Sequence, residues 1–122
     1  MPMRTAFAAE LEQVRLQVEL MAVRVDQNLE RMRDVLERGE VSVVELSFAA
    51  DDEIDAMNVS LTERCYDLLR REAPVASDLR FVVSVLRVLS ELERIGDHAA
   101  IIGARLRYLL TGDPDHLAAE VR

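Results

Sequence analysis

The chain has 122 residues, half of them apolar and 4% aromatic, which is the length of one ordinary domain. Its 15 cationic residues, all arginine, stand against 23 acidic ones, and the net charge of −8 argues against nucleic acid as a partner. No apolar run reaches the roughly 18 residues that a membrane span needs, and the first residues do not resemble a secretion signal. The single Cys65 excludes an internal disulfide, so we expect a cytoplasmic protein with a buried structural thiol.

Three breaks divide the chain into long helices. Gly39 suits the left-handed position after a helix end, and Pro74 ends a helix because it has no amide hydrogen to donate. Gly112 ends the third helix. The predicted helices cover residues 4–38, 42–72 and 76–111. Because the connections are short, sequential helices pack antiparallel, and the predicted fold is an all-α, up-down-up three-helix bundle.

The bundle is expected to occupy residues 1–111. Residues 112–122 are expected to form a linker and the start of a further helix, because Asp113-Pro114 is typical of a helix start. At the second helix, Ser42 and Glu45 have the spacing of a capping box, in which the hydroxyl and the carboxylate each accept a bond from an amide of the first turn.

Apolar residues recur at heptad spacing along the helices, and in the first helix only Asn28 interrupts the pattern. The third helix carries two apolar stripes. The stripe that we predict to face the core contains Phe81, Val85, Val88, Leu92, Ile95, Ala99, Ile102, Leu106 and Leu109. The second stripe contains Leu79, Val82, Leu86, Leu89, Glu93, Gly96 and Ala100. Two interpretations remain open: one broad core face, or a face that binds a second bundle, either in a longer chain or in a partner molecule. For a partner molecule, we expect a homo-oligomer, a dimer.

Two pairs of carboxylates are each spaced four residues apart, Asp51 with Asp55 and Glu93 with Asp97. Like charges at this spacing repel, and a hard cation with its preference for oxygen ligands would relieve the repulsion. Asp55 lies 19 residues before Pro74 and Glu93 lies 19 residues after it, so antiparallel packing brings both pairs level, ~28 Å from the turn. We predict that all four bind a divalent or trivalent ion, such as Fe, Zn, Mg or Mn. The alternative is a solvated acidic surface.

The sequence contains no catalytic motif. It has no nucleophile elbow, Gly-rich phosphate loop or zinc-type spacing of Cys and His, so we predict no catalytic residues and no enzyme. His98 diverges from Asp97 by about 100° around a helix, and we expect it to be solvated.

Residues 73–80 (APVASDLR) and 92–100 (LERIGDHAA) resemble the signature of the PhoU family of phosphate-uptake regulators. The family's E/D-x-x-x-D motif corresponds to Glu93 and Asp97, and its counterpart in the second helix to Asp51 and Asp55. The resemblance covers nearly all of residues 4–111. That is one three-helix unit of the two that family members typically carry in tandem, so the chain is either half of a longer regulator or a short version. At Ile101, similar members usually have Asn.

The resemblance implies a cytoplasmic adaptor that negatively regulates phosphate uptake and the phosphate-starvation response. It implies contacts with the ATPase subunit of a phosphate ABC transporter and with a sensor histidine kinase, and metal ions on the E/D-x-x-x-D patches. The residues by themselves leave two alternatives, a metal-carboxylate protein for metal binding or storage and a purely structural assembly module.

Overall fold

The computed structural model describes residues 2–112, with side chains from Thr5 onward. Three helices follow one another: α1 (Pro2–Arg38), α2 (Ser42–Glu72) and α3 (Ala76–Thr111). Each helix packs against the other two, which confirms the predicted three-helix bundle. The further helix predicted after Gly112 lies outside the described residues. Within residues 2–112, no helix is both long enough and apolar enough to cross a membrane.

The predicted breaks end the helices as the sequence indicates. Gly39 has a φ of +69° and donates its amide hydrogen to the carbonyl of Val35 at 2.9 Å. After α3, Gly112 has a φ of +74° and adopts the same left-handed conformation. Before Pro74, the left-handed residue is Ala73, with a φ of +41°. Glycine and proline therefore set the helix ends, and two alanines, Ala73 and Ala76 with a φ of +52°, take a conformation that glycine would adopt with less strain.

The predicted capping box is wrong. The residue before α2 is Val41, whose backbone is already helical, and no side chain caps the helix. Instead, the amide of Val43 donates to the carbonyl of Glu40, and that of Val44 to the carbonyl of Val41, both at 3.1 Å. Because backbone carbonyls of the connecting turn satisfy the first amides, Glu45 is left to form an ion pair with Arg107 of α3.

The core runs along the bundle axis in two clusters of buried side chains. One contains Val14, Met21, Val25, Ile54, Leu61, Cys65, Leu68, Val82, Val85 and Leu89. The other contains Met32, Val35, Val44 and Ala99. Cys65 is buried as predicted, and burial raises the pKa of its thiol. Asn28 is fully buried too, and its amide donates to the backbone carbonyl of Ser47 at 3.1 Å, so this polar interruption joins α1 to α2.

α3 turns only one side of the stripe that begins at Phe81 to the core. Phe81 is half-buried, but Val88 and Ile102 are each 43% exposed and Leu109 is 75% exposed. Buried or half-buried residues alternate with these exposed ones along the whole stripe, namely Phe81, Val85, Leu92, Ala99 and Leu106, so only one of its two sides packs against α1 and α2. The prediction that this stripe faces the core is therefore correct for one of its sides and wrong for the other, which contains Val88, Ile95, Ile102 and Leu109. The buried residues of α3 come from both stripes and from the small residues near its end: Val82, Val85, Leu89, Gly96, Ala99, Ala100, Gly103 and Ala104.

Candidate metal centre

Three carboxylates meet where α2 packs against α3. Asp51 and Asp55 lie one turn apart on α2, and Asp97 lies on α3. One oxygen of each carboxylate lies within 4.8 Å of the others. The juxtaposition follows from the antiparallel hairpin, since residues at equal distances from the turn at Pro74 reach the same level.

The cluster has a closed side and an open side. The Oδ1 atoms of Asp51 and Asp55 are buried, each with less than 1 Å² of exposed surface, whereas Asp97 is exposed to solvent. A carboxylate on a purely solvated acidic surface would keep its oxygens in water, because removing a charge from water is costly. The burial of two oxygens therefore favours a binding site over a solvated surface.

Gly96 makes room for this arrangement on α3. A Cβ atom at Gly96 would lie 3.1 Å from Oδ1 of Asp51 and 3.5 Å from Cγ2 of Ile54. Because 3.1 Å is closer than most real Cβ contacts, any larger residue would push the Asp51 carboxylate away from the α3 backbone. The absence of a side chain at Gly96 thus sets the position of Asp51.

Glu93 does not belong to the group of three. Its half-buried carboxylate accepts a hydrogen bond from the side-chain amide of Asn58, one turn beyond Asp55 on α2. The hydrogen bond joins the two helices beside the cluster and gives Glu93 a partner of its own. Asn58 is not among the four predicted ligands, although its spacing of seven residues from Asp51 places it on the same face of α2. His98 is exposed, as expected, and is not part of the group.

The geometry fits a hard cation. Oxygen ligands at about 2.1–2.4 Å from one ion lie about 3–4.8 Å from each other, which matches the spacing of the three carboxylates. Carboxylate oxygens suit Mg, Mn and Fe, and Zn accepts them as well. Three protein ligands would leave coordination positions on a bound ion for water or for an exogenous anion.

Similar proteins point to one family. A sequence model described as the PhoU domain matches residues 18–106, a range that contains the whole acidic cluster. A phosphate-specific transport system accessory protein PhoU homolog of Aquifex aeolicus is 33% identical over 105 residues, 86% of this chain and 47% of the relative. The corresponding PhoU proteins of Serratia marcescens and Escherichia coli are 36% and 34% identical over 93 residues, 76% of this chain. Those 93 residues make up 38% and 39% of these two relatives, so the chain spans less than half the length of all three. No solved structure matches the chain significantly.

Proposed function

Because the chain belongs to the PhoU domain family, we propose that it is a cytoplasmic regulatory adaptor of phosphate transport that restrains phosphate uptake and the phosphate-starvation response. The relatives are named as accessory proteins of the phosphate-specific transport system, which supports a role in phosphate transport. The proposed partners are the ATPase subunit of a phosphate ABC transporter and a sensor histidine kinase. This role is regulatory rather than catalytic.

We further propose that Asp51, Asp55 and Asp97 bind a divalent or trivalent metal ion, with Glu93 as a fourth ligand when it releases Asn58. The observation that supports the site is the convergence of three carboxylate oxygens within 4.8 Å, two of them buried. A bound ion would neutralise the clustered charge and join α2 to α3. The chain's own contribution is to hold the carboxylates together, with Gly96 leaving space for Asp51.

Calorimetric titration of the full chain with Fe, Zn, Mg or Mn tests the metal proposal. We expect Asp97→Asn to raise the dissociation constant of the metal by at least about 10- to 100-fold. Loss of a residue that only supports a metal ligand already has an effect of that size. The metal-free variant should melt at a higher temperature than the wild type, because one of the repelling charges is gone. Asp67→Asn is the matched control, since Asp67 is an aspartate of α2 that pairs with Arg70 and Arg71 away from the cluster. Equal affinity in wild type and Asp97→Asn would refute the site.

The regulatory proposal has a separate test. Capture of the transporter ATPase by the purified chain, and restored repression of a phosphate-starvation reporter in cells lacking the gene, are the expected results. A chain that binds metal but neither captures the ATPase nor restores repression would instead support the metal-carboxylate alternative, which the acidic cluster favours. A chain that does none of these would be a structural assembly module.

A further inference from the structure

The arginines of the chain do not all have a partner within the fold. Several form ion pairs with carboxylates of the same helix or of a neighbouring one, among them Arg15, Arg24, Arg33, Arg70, Arg71 and Arg107. Of the described arginines that form no ion pair with another described residue, three lie on α3: Arg80, Arg87 and Arg105. The outer surface of α3 therefore keeps positive charge that the fold does not neutralise.

These arginines belong to one exposed line along α3, which we call the basic stripe and define as Arg80, Arg87, Arg94 and Arg105. A helix turns by about 100° per residue, so a step of seven residues changes the direction by only about 20°, and Arg105 follows Arg87 by five full turns. The line points away from the core, because Val85 is buried and lies about 160° from Arg87 around the helix. At 1.5 Å per residue, the stripe is about 38 Å long.

Few negative charges accompany the stripe on α3. Glu91 lies on the same side, 3.5 Å from Arg94, so four guanidinium groups stand against one carboxylate. The other acidic residues of α3 lie on different sides of the helix. Asp78 lines a groove with residues of α1, whereas Glu93 and Asp97 approach side chains of α2. A chain whose net charge is −8 thus presents one long and narrow positive surface.

We propose that the basic stripe binds an acidic segment of a partner protein. A guanidinium group binds a carboxylate through two parallel hydrogen bonds, and a row of exposed arginines offers this contact repeatedly along one line. The inference rests on the proposed adaptor role, for which it names a contact surface, but it does not depend on the metal site.

The narrow shape of the stripe favours a peptide segment over an anionic membrane. A membrane is a wide surface that would also meet the negative charges of the rest of the chain, whose net charge is −8. A single segment needs to contact only α3, and charges farther away than about 8–10 Å are largely screened at physiological salt. The stripe therefore attracts a narrow acidic partner more strongly than a broad one.

A carboxylate-rich peptide tests the stripe directly. The probe is a fluorescein-labelled peptide of glutamate and alanine, about 25 residues long, which as a helix matches the length of the stripe. Fluorescence anisotropy with the full chain, in EDTA, should show saturable binding that weakens as salt is added. Arg80→Glu with Arg87→Glu should raise the dissociation constant about tenfold or more, with unchanged helix content, because both side chains are exposed.

Arg33→Glu with Arg38→Glu is the matched control for this double change. It alters the net charge of the chain by the same amount, at two exposed arginines of α1. We expect it to leave the affinity for the peptide nearly unchanged. A wild type that does not bind the peptide, or equal losses of affinity in the two double variants, would overturn the proposal.

Vesicles and the proposed partners test the nature of the occupant. The wild type should not sediment with phosphatidylglycerol vesicles, and vesicle binding that requires Arg80 and Arg87 in a chain that ignores the peptide would assign the stripe to lipid instead. Arg80→Glu with Arg87→Glu should abolish capture of the transporter ATPase or the sensor kinase, whereas the control variant should capture both. Full capture of both by the stripe variant would overturn the proposal. A wild type that binds the peptide but captures neither protein would refute the adaptor role and leave the stripe as a surface for acidic peptides.

Discussion

The half of the α2–α3 hairpin near Pro74 and the half farther from it contribute different side chains to the core. Near the turn, large aliphatic residues such as Leu68 and Leu89 are fully buried, and the exposed Asp67 is paired with arginines. Beyond Leu92, the buried residues of α3 are glycine and alanine only, and α2 places Asp51 against them. Small residues fill little volume but let helices and polar groups approach closely. The first half is therefore organised for stability, whereas the second gives up apolar volume to hold a cluster of charges.

The largest expected effect is in the first half. Leu89→Ala removes a side chain with no exposure and should lower the free energy of unfolding by about 2–5 kcal/mol, because the surrounding core collapses only partly. Val88→Ala is the matched control on the neighbouring residue, whose side chain is 43% exposed, and it should cost less than about 1 kcal/mol. Urea denaturation measures both. If the two variants were equally stable, the core face of α3 would lie elsewhere.

In the second half, we expect stability to fall when side-chain volume is added to α3, whereas in the first half it falls when volume is removed. Gly96→Ala places a methyl group 3.1 Å from Oδ1 of Asp51, and we expect it to cost about 1–3 kcal/mol in the metal-free protein, reduced by about 1 kcal/mol of better helix propensity. It should also weaken metal binding, because the Asp51 carboxylate must move.

Gly103→Ala is the matched control for this change. Its added methyl group would meet Sδ and Cε of Met32, the flexible end of a long side chain, which can shift. We expect Gly103→Ala to leave metal affinity unchanged and to be close to neutral in stability. Equal loss of metal affinity in both variants would show that Gly96 has no specific role at the cluster.

The sequence predicts the helices of both halves but not the rotation of α3. The helix ends follow from Gly39, Pro74 and Gly112, whose backbone requirements are local and need no knowledge of packing. The core face of α3 depends on which side of each apolar stripe α1 and α2 cover, and on how closely they approach its small residues. Neither can be inferred from spacing alone.

The candidate site divides in the same way. Equal distances from Pro74 predict that the acidic pairs lie at the same level, since the rise per residue is the same in both helices of the hairpin. The hydrogen bond from Asn58 to Glu93 depends on side-chain geometry across the α2–α3 contact, which spacing does not specify. The capping box failed for a related reason, because the carbonyls of Glu40 and Val41 compete with the side chains for the first amides of α2.

The smallest expected effect comes from comparing Asp67, which is paired with arginines, with the clustered carboxylate of Asp97. Hydrogen bonds from Arg71 and then Arg70 hold the pKa of Asp67 below its ordinary value. A carboxyl group whose pKa is lower in the folded protein contributes stability above its unfolded pKa, about 3.9, and loses it as the pH falls through the folded pKa. Asp67→Asn should therefore lower the melting temperature slightly at neutral pH, and the difference should disappear as the pH falls through the lowered pKa of Asp67. The effect is small because the side chains are exposed and solvent screens the ion pairs.

Asp97→Asn in the metal-free protein should raise the melting temperature at neutral pH, the opposite of the effect of Asp67→Asn, because it relieves a repulsion instead of removing an attraction. Melting curves of both variants between pH 2 and 7, by circular dichroism with EDTA, measure the two together, and shifts of the same sign would show that the two halves of the hairpin hold their carboxylates in the same way.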